Sequence, residues 1–116
     1  MAPNDCLFCR IRDGLIPAQP LHRDEHCFVL QDIHPQAPVH LLVLPNRHVA
    51  TVNDLQPGDE PLVGHLFTTA ARLAAEKGIA ASGYRLVMNT LGDAGQTVFH
   101  LHLHLLGGRQ LGWPPG

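Results

Sequence analysis

The chain carries little charge and no basic excess: eight Lys and Arg stand against ten Asp and Glu in 116 residues, a formal net charge of -2. Holding long nucleic acid needs clustered cations to neutralise several phosphates, so no such partner is expected and any phosphate ligand should be small. Long apolar runs are also missing. The longest, within HLLVLP, is far below the ~20 residues that span a bilayer, and the start, MAPNDCLFCRIRDG, has no basic segment followed by an apolar one. A soluble, cytoplasmic protein without a membrane partner is expected. The three cysteines are an odd number, Cys6 and Cys9 as a close pair and Cys27 alone. That count points away from a disulfide framework and towards metal binding, redox chemistry or packing. No internal repeat or low-complexity tract is visible, and no Gly-rich phosphate loop leads into a helix.

What is present suits one compact domain, residues 1–116, with 45% apolar residues to fill a single core. HCFVLQD (His26 to Asp32) and VHLLVLP (Val39 to Pro45), separated by the turn-rich IHPQAP, read as two antiparallel strands. Leu62, Leu66, Ala70, Leu73 and Lys77 recur at spacings of three and four. They predict one amphipathic helix, with Asp59 as cap, Pro61 in the first turn and Gly78 as the stop. YRLVMN (Tyr84 to Asn89) and VFHLHLHLL (Val98 to Leu106) read as two more strands, bridged by the polar loop TLGDAGQT. The order implies an α+β fold with a largely antiparallel sheet.

The last of these strands holds the chemistry. With side chains alternating along it, His100, His102 and His104 share one face, and Leu101, Leu103 and Leu105 share the other, towards the core. Residues two apart on a strand are roughly 6.5 to 7 Å apart, so His100 and His104 are about 13 Å apart and one metal cannot take all three. The row must divide its work. A neutral imidazole held in one tautomer is a good nucleophile towards phosphorus, and a protonated neighbour can act as general acid or phosphate clamp.

HLHLHLL fits His-x-His-x-His-x-x with apolar x, and DIHPQAPVHLLVLPNRH, GYRLVMN, GDAGQTVFHLHLHLLGGRQ and WPPG extend the match from about Asp5 to Gly116. The chain resembles the histidine triad (HIT) superfamily, and within it the Hint branch of purine nucleoside phosphoramidases. The resemblance implies the HIT fold: a five-stranded sheet, one main helix, a short N-terminal helix and a sheet continued across a two-fold homodimer, with the tail 107–116 contributing to dimer and active site. It implies hydrolysis of P–N bonds in purine nucleoside 5'-phosphoramidates, and of acyl adenylates, through a nucleotidyl-histidine intermediate, with AMP or GMP released and no cofactor required.

By that similarity His102 is the nucleophile, His104 contacts the phosphate and leaving group, His40 supports the nucleophile by hydrogen bonds, and Thr97 supplies a hydroxyl where close relatives carry serine. Gly95 and Gln96 fit the loop whose N–H groups approach the phosphate. Asp32 matches the carboxylate that binds the ribose hydroxyls. Phe8, Ile11, Leu30, Ile33 and Leu42 match the walls around the base, Asn89 a polar contact near ribose and phosphate, and Trp113 the tail residue that approaches the neighbouring subunit's site.

CLFC has the C-x-x-C spacing of a half zinc site. In some histidine triad relatives such a pair joins two histidines, here His48 and His100. The implied Cys6, Cys9, His48, His100 set would hold a structural zinc, leaving His102 and His104 for chemistry. Competing readings are two reduced thiols or a redox-active pair. Rival functions are a dinucleoside polyphosphate hydrolase, as in the fragile histidine triad branch; a nucleotide-responsive interaction module; and a metalloenzyme with an open zinc on His100 and His102.

Overall fold

The computed structural model describes residues 5–116; the domain expected over 1–116 begins four residues outside that span. Five strands follow in chain order, β1 His22–Arg23, β2 Cys27–Gln31, β3 Val39–Pro45, β4 Tyr84–Val87 and β5 Leu103–Gly107. They form one antiparallel sheet in the order β1-β2-β3-β5-β4. Three α-helices accompany it among the described residues, α1 Leu7–Arg12, α2 Glu60–Glu76 and α3 Leu91–Ala94, with short 3-10 turns at Val52–Asp54 and Pro57–Asp59.

The central strands are apolar on both sides because both faces of the sheet are covered. On one face Cys27, Val29, Leu41, Val43, Leu103 and Leu105 pack with Leu66, Ala70, Leu73 and Ala74 of α2, a helical stripe at spacings of three and four. On the other, Phe28, Leu30, Leu42 and Leu44 meet Cys6, Phe8, Cys9 and Ile11. Six residues of α1 are too few to cover that face, and the β3 to β5 end of it carries His40 and His104 instead. Their placement follows from register, since Leu42 stands opposite His104 and His40 opposite Leu106.

Several expectations shift. The expected strand 98–106 begins its ladder only at Leu103, opposite Val43, so His100 and His102 precede the regular strand. Pro45 explains this: it has no N–H to offer a strand beside it, and its carbonyl is taken by the His100 ring at 2.9 Å. The alternation nevertheless persists, with Leu101, Leu103 and Leu105 at most 2% exposed. The strand expected to reach Asn89 stops at Val87, and the supposed loop 90–97 contains α3, ended by Gly95 in the left-handed region (φ 86°). Asp59 does not cap α2 through its side chain; its carboxylate accepts the Gln56 N–H and pairs with Arg47. Of the predicted stripe, Leu62 is half-buried and Lys77 exposed. The short β1 edge carries no period for sequence to show.

Candidate active site and metal centre

The proton positions of the histidine row can be read from partners that play only one part. The His100 carbonyl can only accept, so His102 donates to it through Nδ1 at 2.7 Å and its Nε2 lone pair is free. The Gln36 N–H can only donate, so His40 accepts it on Nδ1 at 3.0 Å and carries its proton on Nε2. That proton points to His104 Nδ1 at 2.9 Å, with an Asp32 oxygen 3.3 Å away. His104 therefore keeps its own proton on Nε2. A lone pair on His102 and an N–H on His104 lie side by side, the two rings 5.0 Å apart.

Burial sets the charge of this pair. It lowers the pKa of His102, against the opposing pull of the His100 carbonyl and Asp32. It takes His104 further, to about 4, helped by repulsion from His102 and His40. Both are neutral near pH 7. His102 is thus a ready nucleophile, whereas His104 is not the standing imidazolium that a general acid requires.

The structure redistributes some expected roles. His40 hydrogen-bonds His104, not His102; its position on β3 puts it beside β5, while His102 lies ahead of the ladder. The Gly95 and Gln96 N–H groups expected to approach phosphate are engaged with the Gly92 and Leu91 carbonyls. The buried Gln96 side chain ties the loop to Leu91, Ala50 and Val98. Thr97, next in the chain, is exposed, and Asn89 is half-buried just beyond β4. Phe8, Ile11, Leu30 and Leu42 form one apolar cluster, with Phe8 edge-on to His102 at 5.2 Å. Ile33 does not join it and is 86% exposed, on a turn that leads away from β2. Trp113, on the tail, is 82% exposed.

Cys6, Cys9, His48 and His100 do come together, their ligand atoms all within 4.8 Å of one another. Cys6 Sγ and Cys9 Sγ are each 3.4 Å from His100 Nδ1, and Cys9 Sγ is 3.3 Å from His48 Nδ1. With zinc bonds of about 2.3 Å to sulfur and about 2.0 Å to nitrogen, the edges of such a tetrahedron are close to these separations. The donor chemistry also fits: His100 gives its Nε2–H to Pro45, which leaves Nδ1 as a lone pair facing the thiols. Burial and the neighbouring Cys6 push the Cys9 thiol up to about 11, a bias that a divalent cation would reverse by deprotonating it.

A model of the HIT domain matches residues 13–111. An uncharacterized HIT-like protein of Synechococcus elongatus is 46% identical over 97% of both chains. The chain belongs to the HIT family. A crystal structure of a HIT family hydrolase from Legionella pneumophila shares 49% identity and superposes with a TM-score of 0.94, covering 96% of this chain and 99% of that one. A histidine triad protein from Clostridium difficile gives 0.91 at 36% identity, over 97% of each chain.

The HIT match leaves out Cys6, Phe8, Cys9 and Ile11 at one end and Trp113 at the other. α1 and its cap Cys6 therefore bring half of the Cys6, Cys9, His48, His100 cluster, and the ring against His102, from beyond the matched segment. Sequence reasoning also missed the groups that orient the HIT histidines, namely the Pro45 and His100 carbonyls and the Gln36 N–H. Backbone atoms leave no residue-type signal; only the proline ending a strand pointed to one of them.

Proposed function

We propose that this HIT protein is a hydrolase that cleaves the P–N bond of purine nucleoside 5'-phosphoramidates, and the corresponding bond of acyl adenylates. The observation that carries the reading is the His102 tautomer, with Nδ1–H spent on the His100 carbonyl and Nε2 free beside the His104 N–H. His102 Nε2 attacks the α-phosphorus, a P–N bond to the enzyme forms, and the bond to the leaving amine breaks. Water then attacks phosphorus, giving a proton back to His104, and the bond between His102 Nε2 and phosphorus breaks, releasing nucleoside monophosphate and restoring the imidazole.

An amine cannot leave as an anion, so His104 must deliver a proton. The bound phosphoryl anion supplies the charge that raises a neighbouring imidazole's pKa, so the site becomes acidic only when occupied. In the free site His40, anchored by Gln36 and Asp32, keeps the His104 proton on Nε2, the nitrogen turned to the leaving group. Asp32 receives the ribose hydroxyls, the Phe8, Ile11, Leu30 and Leu42 wall the purine, and Thr97 reaches the phosphoryl oxygens from its exposed loop.

The Cys6, Cys9, His48 and His100 cluster holds one structural zinc. Four protein ligands close its coordination, so the ion organises the fold and leaves phosphorus chemistry to His102 and His104. Among the described residues no helix is long and apolar enough to cross a membrane, and we assign the protein to the cytoplasm, where its three free cysteines stay reduced.

The test is a panel of an adenosine phosphoramidate, an acyl adenylate and diadenosine triphosphate, given to the protein and to His104→Ala. Fastest turnover per KM on the phosphoramidate is expected. His104→Ala should slow it about 10² to 10⁴-fold, the usual scale for a general acid, and the acyl adenylate less. Preference for the triphosphate would move the assignment to dinucleoside polyphosphate hydrolysis; equal losses on both monophosphate substrates would refute the acid role.

A further inference from the structure

The nucleophile sits on a segment that the sheet does not hold. β5 starts at Leu103, so 98–102 has no ladder partner on β3. Two bonds at His100 and Leu101 fasten it to the neighbouring chain, and a third, within the segment, sets the His102 ring. The Leu101 N–H reaches the Val49 carbonyl at 2.7 Å, the His100 ring donates to Pro45 at 2.9 Å, and the His100 carbonyl receives the His102 Nδ1–H at 2.7 Å. His48 directly precedes Val49, so the backbone bond and the ligand pair join the same two stretches of chain, 48–49 and 100–101.

We propose that His100 is a positioning residue that makes the aim of His102 depend on closure of the Cys6, Cys9, His48, His100 cluster. Its ring belongs to the cluster and its carbonyl belongs to the active site, and the residue is fully buried, so movement of one displaces the other. Bound zinc would supply the charge that keeps two thiolates and two imidazole lone pairs converged; without a cation the His48 ring meets the cluster through a weak contact with the Cys9 sulfur, and the joint between 48–49 and 100–101 rests on the Leu101 N–H to Val49 carbonyl bond. Opening the cluster frees 98–102 and turns the His102 lone pair away from in-line attack, while the base and ribose pockets keep their shape. The inference rests on the proposed nucleotidyl transfer for its catalytic half only.

The experiment compares zinc-loaded protein with His48→Ala, and with loaded protein stripped by a chelator and then given zinc back. Three readouts are taken: zinc content, amide hydrogen exchange, and the single-turnover rate of adenylyl adduct formation. Zinc loss should speed exchange at 98–102 by at least about tenfold, with β2 and β3 unchanged. Adduct formation should fall by about 10²-fold, the scale of a misplaced reacting group, while AMP affinity stays within about twofold; returning zinc should restore both. Zinc loss with unchanged exchange and rate overturns the proposal, as does exchange rising equally across the whole sheet. Exchange needs no substrate, so if even the loaded protein forms no adduct the proposed reaction fails and exchange alone decides the coupling.

Discussion

His100 and His102 each face a backbone carbonyl that can only accept, and His104 is set at second hand through His40, whose Nδ1 faces a backbone N–H; these partners fix which nitrogen of each ring is free. The same burial that lowers the pKa of His102 leaves His104 uncharged in the free site, with a pKa of about 4. Its unfolded value is near 6.5, so between the two the unfolded chain binds a proton that the folded chain refuses, and stability falls as pH drops through that window. Urea unfolding at about pH 7 and about pH 5 should show a lower midpoint at the acid end. His104→Asn should lose less over the same interval, and an equal loss in both proteins would contradict a buried neutral His104. At this scale the sequence was most informative about side chains: the two-residue spacing separated histidines from leucines, and four of the five proposed base-wall residues form one cluster. It was silent on what backbone atoms decide, so His40 was expected to serve His102 and is found bonded to His104.

The elements divide into a rigid support and a short reactive edge. β5 is fastened on both sides, to β3 and β4, and Leu105 at its centre is fully buried against the α2 side. Leu105→Ala should cost about 2 to 5 kcal/mol, transfer plus cavity, measured by chemical denaturation; a loss under about 0.5 kcal/mol, the surface scale, would contradict that packing. The main helix and the apolar strands were legible because their periods of 3.6 and 2 run over many residues. The start of β5 was not, because it depends on a missing N–H in a different strand, at Pro45. Nor was α3, four residues long and built from Leu91, Gly92, Asp93 and Ala94, a composition that reads as loop.

At the scale of the whole molecule, the exposed Trp113 on the tail and the half-buried edge strand β4 are the surfaces a second copy would cover. Arg85 of β4 donates to the Gly112 carbonyl at 2.7 Å, so edge and tail form one surface. We expect a homodimer, and sedimentation equilibrium at the mass of a single chain across micromolar concentrations would contradict it. The overall architecture was legible from sequence because strands, one long helix and more strands leave few arrangements. The Cys6, Cys9, His48 and His100 cluster was named through the resemblance; spacing alone offered its C-x-x-C half, since the two histidines come from distant parts of the chain. The central claim is that His102 attacks phosphorus through Nε2, and intact-protein mass spectrometry of a reaction quenched during turnover of an adenosine phosphoramidate tests it most directly. An adenylyl adduct on the wild type, absent from a His102→Ala protein that still binds AMP, is the predicted result; an adduct or AMP release persisting in His102→Ala would contradict it.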